Sequence, residues 1–446
     1  LTPIGSGVRA SRAAPGGSAA PRRDAATIPQ SCTIVLPSSG VFDSRAWRIA
    51  RSLAARGHAV TIVARLESGL SAEEVHVDGY RIIRVPVGAV EGLPGPVRSV
   101  LRRSRTGGSR RSDTSVPASS PGPRRSRVRG AIHGVRRLAA IVLTVRSQQV
   151  AALDVAPRAD LVHAMAYMGI PVGLALGRRD RAPVVYDARD IYVDARNIAR
   201  LPGFARALFG SMERRWARRA SRVMTVNRPY ADVMAERFGC RLPAIVLNAS
   251  YRRSAAASAT KLLHTRLGLS PGTRIVLYHG GLSPDRGIEQ LVDALLMLPN
   301  DVHLVTLGYG PLEGWIRSRS ADPGMEGRLH LLPAVPPASL LDWVASADVA
   351  AMPIQATTLN HRLTTPNKLF EAIAAGIPVV ASNLPGMASI VEEIGCGVLC
   401  DPADPQAVAG AIRTVLDASP AERESRRERT LAAAHGFYSW EAQLEV

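Results

Sequence analysis

Cysteine is scarce in this chain of 446 residues, which contains only Cys32, Cys240, Cys396 and Cys400. The four are scattered, and the last two lie in an apolar context with no histidine beside them. Buried thiols are therefore favoured over a metal site or a disulfide framework. Such cysteine usage is typical of a reducing compartment, and we predict a cytoplasmic protein.

Long apolar runs are also missing. The best candidate, residues 138–145, is far shorter than the roughly 20 apolar residues of a membrane span. Residues 1–30 are rich in alanine, glycine, serine, proline and arginine without an apolar core, which predicts a disordered basic tail rather than a secretory signal. The first strand–helix loop, PSSGVFDSR, has the single glycine Gly40. It lacks the G-x-G-x-x-G fingerprint, which argues against a dinucleotide-dependent dehydrogenase.

Positive charge dominates, yet lysine is nearly absent. Of 56 lysines and arginines only Lys261 and Lys368 are lysines, and the net charge of +19 with a pI near 10.9 implies an acidic partner. The arginines concentrate in residues 97–137, a segment with few large apolar residues that is not expected to fold alone. It leads into a predicted amphipathic helix over residues 132–145.

This basic insertion suits an anionic membrane surface, at about 1 kcal/mol per basic residue near the lipid. Nucleic acid is the competing partner, but the segment lacks the aromatic residues that stack bases. A merely solvated insertion is a third interpretation. We favour the membrane, with the protein peripheral at the inner face of the cell membrane.

Strands and helices alternate along the chain, which indicates parallel sheets with right-handed crossovers. The length suits two domains. We predict an N-terminal Rossmann-like domain over residues 31–248 and a second over 249–430. A last helix over 431–446 is predicted to cross back to the first domain. The fold class is α/β, with two doubly wound domains facing each other across a cleft.

The stretch TTPNKLFEAIAAGIPVVAS, residues 364–382, reads as loop, helix and buried strand. Asn367 is predicted to cap the helix and Gly376 to end it. Free amides and the helix dipole at such an N-terminus favour an anion. A phosphate contact for Lys368 is therefore one interpretation, and an exposed first-turn lysine is the other.

Several polar residues follow predicted strands of the first domain. Residues at the carboxyl ends of parallel strands face the ligand crevice. We therefore expect a set of side chains to point toward the cleft: His163, Asp187, Arg189 and Asp190. For His163, a strand-end histidine satisfied within the fold is the more common alternative to a catalyst.

Residues 364–382 resemble the nucleotide-sugar loop of the retaining GT-B glycosyltransferases of family 4, the group 1 transferases. Their signature is a glutamate, seven residues, a second glutamate and then A-x-x-x-G-x-P-V-V. Glu371 matches the second glutamate, which in the family holds the ribose hydroxyls. The first would fall at Leu363, so the chain departs from the pattern there.

The loop HGGLSPDRG resembles the family's G-R-L-x-x-x-K-G loop, whose two cations grip the diphosphate. Gly281 stands at the arginine position and Arg286 at the lysine position. One expected cation is therefore absent, and Lys368 is the predicted substitute. Arg189 stands where the family usually has a histidine; an arginine cannot act as a base, but it can orient an anionic group or stabilise leaving-group charge.

The resemblance implies a metal-independent transferase that needs no cofactor beyond its nucleotide-diphosphate-sugar donor, acting on a saccharide or lipid-linked acceptor of the cell envelope. The implied charge-stabilising residues are Arg286, Lys368 and Arg189. The implied donor-binding residues are Gly280, Gly281, Arg286, Gly308, Thr364, Thr365, Pro366, Asn367, Lys368 and Glu371. The implied acceptor-side residues are Gly40, Asp43, Arg45, His163 and Asp190, although Asp43 is equally well explained as a helix cap.

Two other classes compete with the transferase. The three departures, at Leu363, Gly281 and Arg189, favour a non-catalytic GT-B-like protein that binds nucleotide sugars or acts as a scaffold. The charge alone favours a nucleic-acid-binding protein, which a steep salt dependence of binding would mark. Neither the nucleotide, the sugar nor the oligomeric state follows from the sequence.

Overall fold

The computed structural model of the chain describes residues 30–88, 123–253 and 261–446. The predicted basic tail lies outside these residues except for Gln30, as does the predicted basic insertion before residue 123. The described chain forms two Rossmann-like α/β units, each on its own largely parallel sheet, so the predicted fold class is confirmed.

The first unit contains strands β1 to β8: Ser31–Val35, Ala59–Arg65, Glu73–Val75, Arg81–Val85, Leu161–Met165, Val184–Asp187, Arg222–Thr225 and Ala244–Ile245. Its helices α1 to α6 are Ser44–Ala55, Pro123–Val155, Ala166–Asp180, Arg196–Ala199, Gly203–Ala217 and Arg228–Phe238, with a 3₁₀ helix at Tyr192–Asp194. The strand order is β3-β4-β2-β1-β5-β6-β7-β8, and only the edge strand β3 runs antiparallel to its neighbour among the pairings described.

The second unit contains strands β9 to β14: Arg274–Gly281, Val302–Tyr309, Leu329–Leu332, Val349–Met352, Val379–Ser382 and Gly397–Cys400. Its helices α7 to α15 are Leu262–Leu267, Ile288–Leu295, Glu313–Arg319, Leu340–Ala345, Leu359–Arg362, Asn367–Ala375, Pro385–Ile394, Pro405–Leu416 and Pro420–His435. The strand order is β11-β10-β9-β12-β13-β14, and the described pairings are all parallel.

The second sheet is buried on both faces, which explains its nearly continuous apolar strands. Along β9, Ile275 and Leu277 pack into one core cluster. Val276 and Tyr278 pack into another on the opposite face, because successive strand residues alternate in direction. Helices therefore cover both faces, and the strand ends are left to form the crevice.

Each sheet has a point where the strand order reverses. In the first it lies between β1 and β5, and in the second between β9 and β12. Ligands bind outside the carboxyl ends of the strands at such points in doubly wound sheets. The two reversal points thus identify where each unit contributes to a shared cleft.

Helix α2 differs from its sequence prediction. It begins at Pro123, so residues 123–137, predicted as part of a segment unable to fold alone, are helical. Further along α2, Leu138, Val145 and Ala152 recur every seven residues and are all buried, so this part of the helix packs on the first unit. Gln148 also donates from Nε2 to the carbonyl of Leu36 at 2.5 Å, which ties the helix to the end of β1.

The expectation that no stretch approaches membrane-span length was wrong. Residues Arg137–Val155 of α2 form a helix long and apolar enough, by length and composition, to cross a membrane, with a mean hydropathy of 1.3. One such helix does not establish a span. The buried residues of α2 attach it to the first unit.

The C-terminal segment contains two helices rather than the single helix predicted over residues 431–446. Helix α15 ends at His435, and a further helix, α16, spans Trp440–Gln443. The indole of Trp440 is buried against the first unit and donates to Ser52 Oγ at 2.9 Å. The short helix α16 therefore packs against α1 of the first unit and holds the C-terminal segment there.

Candidate active site

A cavity of about 620 Å³ lies between the two units and is lined by residues of both. Its floor is formed by the carboxyl ends of β9 and β10. Gly280 has a φ of +106°, and a Cβ at Gly308 would overlap the carbonyl oxygen of Gly280. Glycine is therefore required where these two strand ends meet, and the backbone is open to a ligand.

Arg286 and Lys368 line this cavity together. The Lys368 ammonium lies 3.4 Å from the centre of the Tyr278 ring, and the residue is 8% exposed. Burial, together with the nearby charge of Arg286, holds the pKa of Lys368 well below its usual range, against the opposing effect of Glu371. Within the described chain, neither cation is bonded to a carboxylate. Both side chains therefore border the cavity without a bonded carboxylate of their own among the described residues.

Glu371 lies one turn along helix α12 from this pair. Its carboxylate is bonded to His279 Nε2 at 2.8 Å. Burial alone would raise the pKa of Glu371, but the His279 hydrogen bond and the charges of Arg48 and Lys368 outweigh it and lower the pKa. The carboxylate is therefore ionised and fixed as a hydrogen-bond acceptor on the cavity wall.

The loop before α12 is fastened to the first unit. The Asn227 amide donates to the Leu363 carbonyl at 2.8 Å and to Thr365 Oγ1 at 3.1 Å. Thr364, Thr365 and Pro366 line the cavity. The loop thus bridges the two units at the cleft.

Asn367 is not the helix cap that the sequence predicts. Pro366 occupies that position, Asn367 is the first helical residue, and no side chain caps the helix. The Asn367 side chain instead accepts a hydrogen bond from Asn248. The first amides of α12 are consequently not used by a side-chain cap.

Leu363 stands where the family signature has its first glutamate, and its surroundings are apolar. Its side chain is half-buried and packs against the apolar core of the first unit. It does not line the cavity, which Thr364 and Thr365 border instead. A carboxylate at residue 363 would be placed against apolar side chains, so the substitution follows the local packing.

On the opposite wall, Arg189 and Asp43 form an ion pair. Arg189 donates to the two Asp43 oxygens at 2.7 and 2.9 Å, and Asp43 also caps helix α1 by accepting from the Ala46 amide at 3.1 Å. Arg189 lines the cavity, whereas Asp43 stands behind it. The helix-cap interpretation of Asp43 is therefore correct, and the Arg189 charge is largely compensated.

Arg45 and His163 do not reach the cavity. Arg45 is 1% exposed and donates from Nε to Asp187 at 2.8 Å and from Nη1 to the Val246 carbonyl at 2.9 Å. His163 Nε2 is 3.2 Å from the same Asp187 oxygen. Gly40 is also buried, in the loop after β1 with a φ of +83°. The structure therefore does not bring these three residues to the cavity, and Arg45 and His163 pair instead with a buried carboxylate. Their contact with an acceptor remains a prediction.

Asp190 is the acceptor-side residue that does line the cavity. Burial raises its pKa, while a hydrogen bond from the Asn360 amide at 3.0 Å and the charges of Arg189 and Arg286 act in the opposite direction. Asp190 thus faces the second unit's Arg286 across the cleft.

Sequence reasoning missed Arg48, which also lines the cavity. It lies over the Trp440 ring at 5.3 Å and donates to the Asn248 side chain. Burial lowers its pKa to about 10, and Glu371 opposes that shift. Arg48 lies three residues after Arg45 on α1, yet only Arg48 of the two lines the cavity, so helical spacing alone would not have separated them.

Two family models match most of the chain. The model described as Glycosyl transferases group 1 matches residues 273–418, and the model described as Glycosyl transferase 4-like domain matches residues 43–249. The chain belongs to the group 1 glycosyl transferases. The first match includes Arg286, Lys368 and Glu371, and the second includes Arg189 and Asp190.

The similarity to individual proteins covers less of the chain than the two family models together. The chain is 31% identical over 201 residues to the D-inositol 3-phosphate glycosyltransferase of Xylanimonas cellulosilytica, a match that covers 43% of this chain and 46% of that protein. The chain thus matches less than half the length of this curated relative.

Solved structures share the GT-B fold. HepE of Anabaena, in complex with UDP-glucose, aligns with a TM-score of 0.60 at 18% identity, covering 93% of this chain and 97% of that one. WaaG, a glycosyltransferase involved in lipopolysaccharide biosynthesis, aligns with a TM-score of 0.61 at 17% identity, covering 93% and 98%. At these identities the likeness establishes the fold.

Proposed function

We propose that the chain transfers a sugar from a nucleotide-diphosphate donor to a saccharide or lipid-linked acceptor of the cell envelope, with retention at the anomeric carbon. The observation that carries this proposal is the pair Arg286 and Lys368. Neither side chain has a bonded carboxylate among the described residues, and burial together with the Arg286 charge disfavours the ammonium form of Lys368. An anion bound between the two side chains would offset both effects. A diphosphate has the required charge and size.

The remaining donor contacts follow from the geometry around this pair. Gly280 and Gly308 leave the strand ends open for the phosphates, and Asn367 and Lys368 at the N-terminus of α12 line the same cavity. Glu371, ionised and held by His279, is the acceptor for the ribose hydroxyls. UDP is the first nucleotide to test, because HepE is a structural neighbour solved with UDP-glucose.

In the proposed sugar transfer, the protein mainly stabilises the negative charge of the departing diphosphate and supplies no nucleophile of its own. As the bond between the anomeric carbon and the β-phosphate oxygen breaks, the bonding electrons pass to the diphosphate, where Arg286 and Lys368 stabilise them. The acceptor oxygen forms the new bond, and its proton passes to the departing diphosphate. Leu363 supplies no carboxylate, so we propose no covalent glycosyl intermediate at that position.

An envelope acceptor and a peripheral membrane location complete the proposal. Helix α5 exposes Phe204 and Leu208 near its start and Arg214 and Arg215 near its end, and the exposed Arg218 follows directly after it. Exposed apolar residues beside arginines suit an anionic bilayer surface. WaaG is involved in lipopolysaccharide biosynthesis and the relative from Xylanimonas cellulosilytica is an inositol phosphate glycosyltransferase, so saccharide and cyclitol acceptors are the first candidates.

A thermal-shift screen of the full chain against nucleoside diphosphates and their sugars tests the donor site. A ligand at 100 times its Kd stabilises by about 2.7 kcal/mol, which is easily measured. We expect one nucleotide to raise the Tm, and Glu371→Ala to abolish most of that shift. Glu289→Ala, a carboxylate of α8 outside the cavity lining, is the matched control and should retain it.

The competing function is nucleotide-sugar binding without transfer. The absence of a carboxylate at residue 363 and the compensation of Arg189 by Asp43 favour it. A nucleotide-sugar shift without hydrolysis or transfer in any acceptor mixture would support this alternative. No shift with any nucleotide would contradict both functions.

A further inference from the structure

A second cavity, the side pocket, lies within the first unit beside the cleft. It has a volume of about 440 Å³ and is lined by the segment after β6, by α5 and by the end of α6. Asp190 lines both the side pocket and the cleft. A group held in the side pocket would therefore be adjacent to the donor across Asp190.

The side pocket contains buried polar atoms without partners. Tyr192 is buried, with only 6% of its surface exposed, and yet its hydroxyl has no hydrogen-bond partner. Arg206 Nε is likewise buried and unpartnered, while Arg206 Nη2 donates to Asp194 at 2.9 Å. Buried polar groups are nearly always hydrogen-bonded, so these two donors indicate a missing polar ligand.

The charges of the lining indicate which ligand fits. The lining contains three arginines and three carboxyl groups: Arg206, Arg214, Arg237, Asp190, Asp194 and Glu213. Asp194 is paired with Arg206 and, at 2.7 Å, with Arg237. Two of the three arginines are therefore paired within the lining, unlike the free cations of a phosphate site.

The remaining walls combine a buried carboxyl group with apolar surface. Glu213 accepts a hydrogen bond from Tyr186 at 2.8 Å, and burial raises its pKa to about 7. Val193, Met234 and Phe238 supply apolar contacts. A sugar ring presents hydroxyls at its edge and apolar C–H groups on its face, which matches this combination.

We propose that the side pocket binds an uncharged polyhydroxylated group, the accepting saccharide or cyclitol, and directs one of its hydroxyls past Asp190 toward the donor. This inference rests on the proposed transferase function. The acceptor-binding residues would then be Tyr192, Arg206 and Glu213. Arg45 and His163, which the sequence had indicated for this role, are buried around Asp187 instead.

Two variants test the pocket directly. Tyr192→Phe removes the unpartnered hydroxyl and should weaken saccharide binding roughly three- to tenfold without lowering stability. Gly210→Leu fills the pocket, since a Cβ at Gly210 meets only Val193 at 3.5 Å, and should abolish binding. Tyr80→Phe is the matched control, because the Tyr80 hydroxyl is also buried and unpartnered but lies outside both cavities.

Binding is measured by saturation-transfer difference NMR on the full chain with N-acetylglucosamine, methyl glucoside and myo-inositol, each beside its monophosphate. We expect at least one neutral probe to give a saturation-transfer signal, whether or not saturating UDP is present. This signal should be unchanged in Tyr80→Phe, weaker in Tyr192→Phe and absent in Gly210→Leu. No signal from any neutral probe, signal only from phosphorylated probes, or signal that persists in Gly210→Leu would overturn the inference.

The nucleotide-dependent thermal shift of the same samples separates this outcome from the donor proposal. A normal nucleotide shift with no dependence of saccharide binding on Tyr192 and Gly210 refutes the side pocket alone. Saccharide binding that depends on these residues, without any nucleotide shift, refutes the transferase and retains the pocket.

Discussion

The two walls of the cleft differ in how their charges are paired. On the first unit's side, Arg45 donates to Asp187 at 2.8 Å and Arg189 donates to Asp43 at 2.7 Å. On the second unit's side, Arg286 and Lys368 have no bonded carboxylate within the described chain. A charge paired inside the fold serves mainly the fold, whereas a buried charge without a partner is available to a ligand.

The largest expected effect tests this difference through stability. Arg45→Met leaves the buried Asp187 carboxylate without its main partner, and we expect a loss of about 3–5 kcal/mol in the free energy of unfolding. Lys368→Met removes a buried ammonium that lacks a bonded carboxylate, so stability should be unchanged or higher. Urea unfolding of both variants at pH 7 measures the contrast.

Equal losses in the two variants would contradict the distinction between the walls. A second variant, Arg45→Lys, keeps the charge but not the geometry of the Arg45 contacts to Asp187 and Val246. We expect it to recover part of the stability lost in Arg45→Met.

The next effect concerns the pH dependence of nucleotide binding. The pKa of Lys368 is lower in the folded, ligand-free chain than in the unfolded chain, so folded stability rises as pH increases through the folded-state pKa. A bound diphosphate favours the ammonium form. Affinity should therefore fall by up to about tenfold per pH unit above that pKa, with proton uptake on binding.

Calorimetry in buffers of different ionisation enthalpy measures this proton uptake. Lys368→Arg is the matched control, because arginine stays charged throughout the range. It should bind without proton uptake. Uptake that persists in Lys368→Arg would assign the proton to another group.

The smallest effect concerns the cation that this chain lacks at Gly281. The residue is exposed, and a Cβ there would meet nothing within 4 Å. Gly281→Arg should raise affinity for the nucleoside diphosphate by up to about tenfold, with stability changed by less than about 0.5 kcal/mol. Gly281→Gln controls for side-chain length, and titration calorimetry should find its affinity unchanged.

An unchanged affinity in Gly281→Arg would indicate that Arg286 and Lys368 already saturate the phosphates. The full positive charge that the site needs would then be assigned to Arg286 and Lys368.

The sequence predicted the second unit's contribution to the cleft more successfully than the first unit's. Gly280, Arg286, Lys368 and Glu371 all line the cavity as expected. Their positions follow from local rules, since glycines at strand ends and residues at a helix N-terminus have few alternative directions. Their assigned roles in donor binding remain predictions.

The first unit shows where local rules fail. Arg45 lies at the start of α1 as predicted, whereas His163 lies in the middle of β5 rather than at its end. Both side chains turn toward Asp187, which the sequence had predicted to face the cleft. The distance along the chain from Arg45 to Asp187 is 142 residues. Pairing over such separations depends on how α1 is placed relative to the end of β6, which no local pattern encodes.

The sequence by itself determined the alternation of strands and helices, the two-sheet α/β class and the glycine-lined strand ends, because periodicity and backbone freedom are local properties. Tertiary structure decided which charges are compensated, that Leu363 packs into the first unit, and that Arg48 and the side pocket border the cleft. These depend on which side chains meet across sheets and between units. Electrostatic compensation and packing are properties of that assembled geometry.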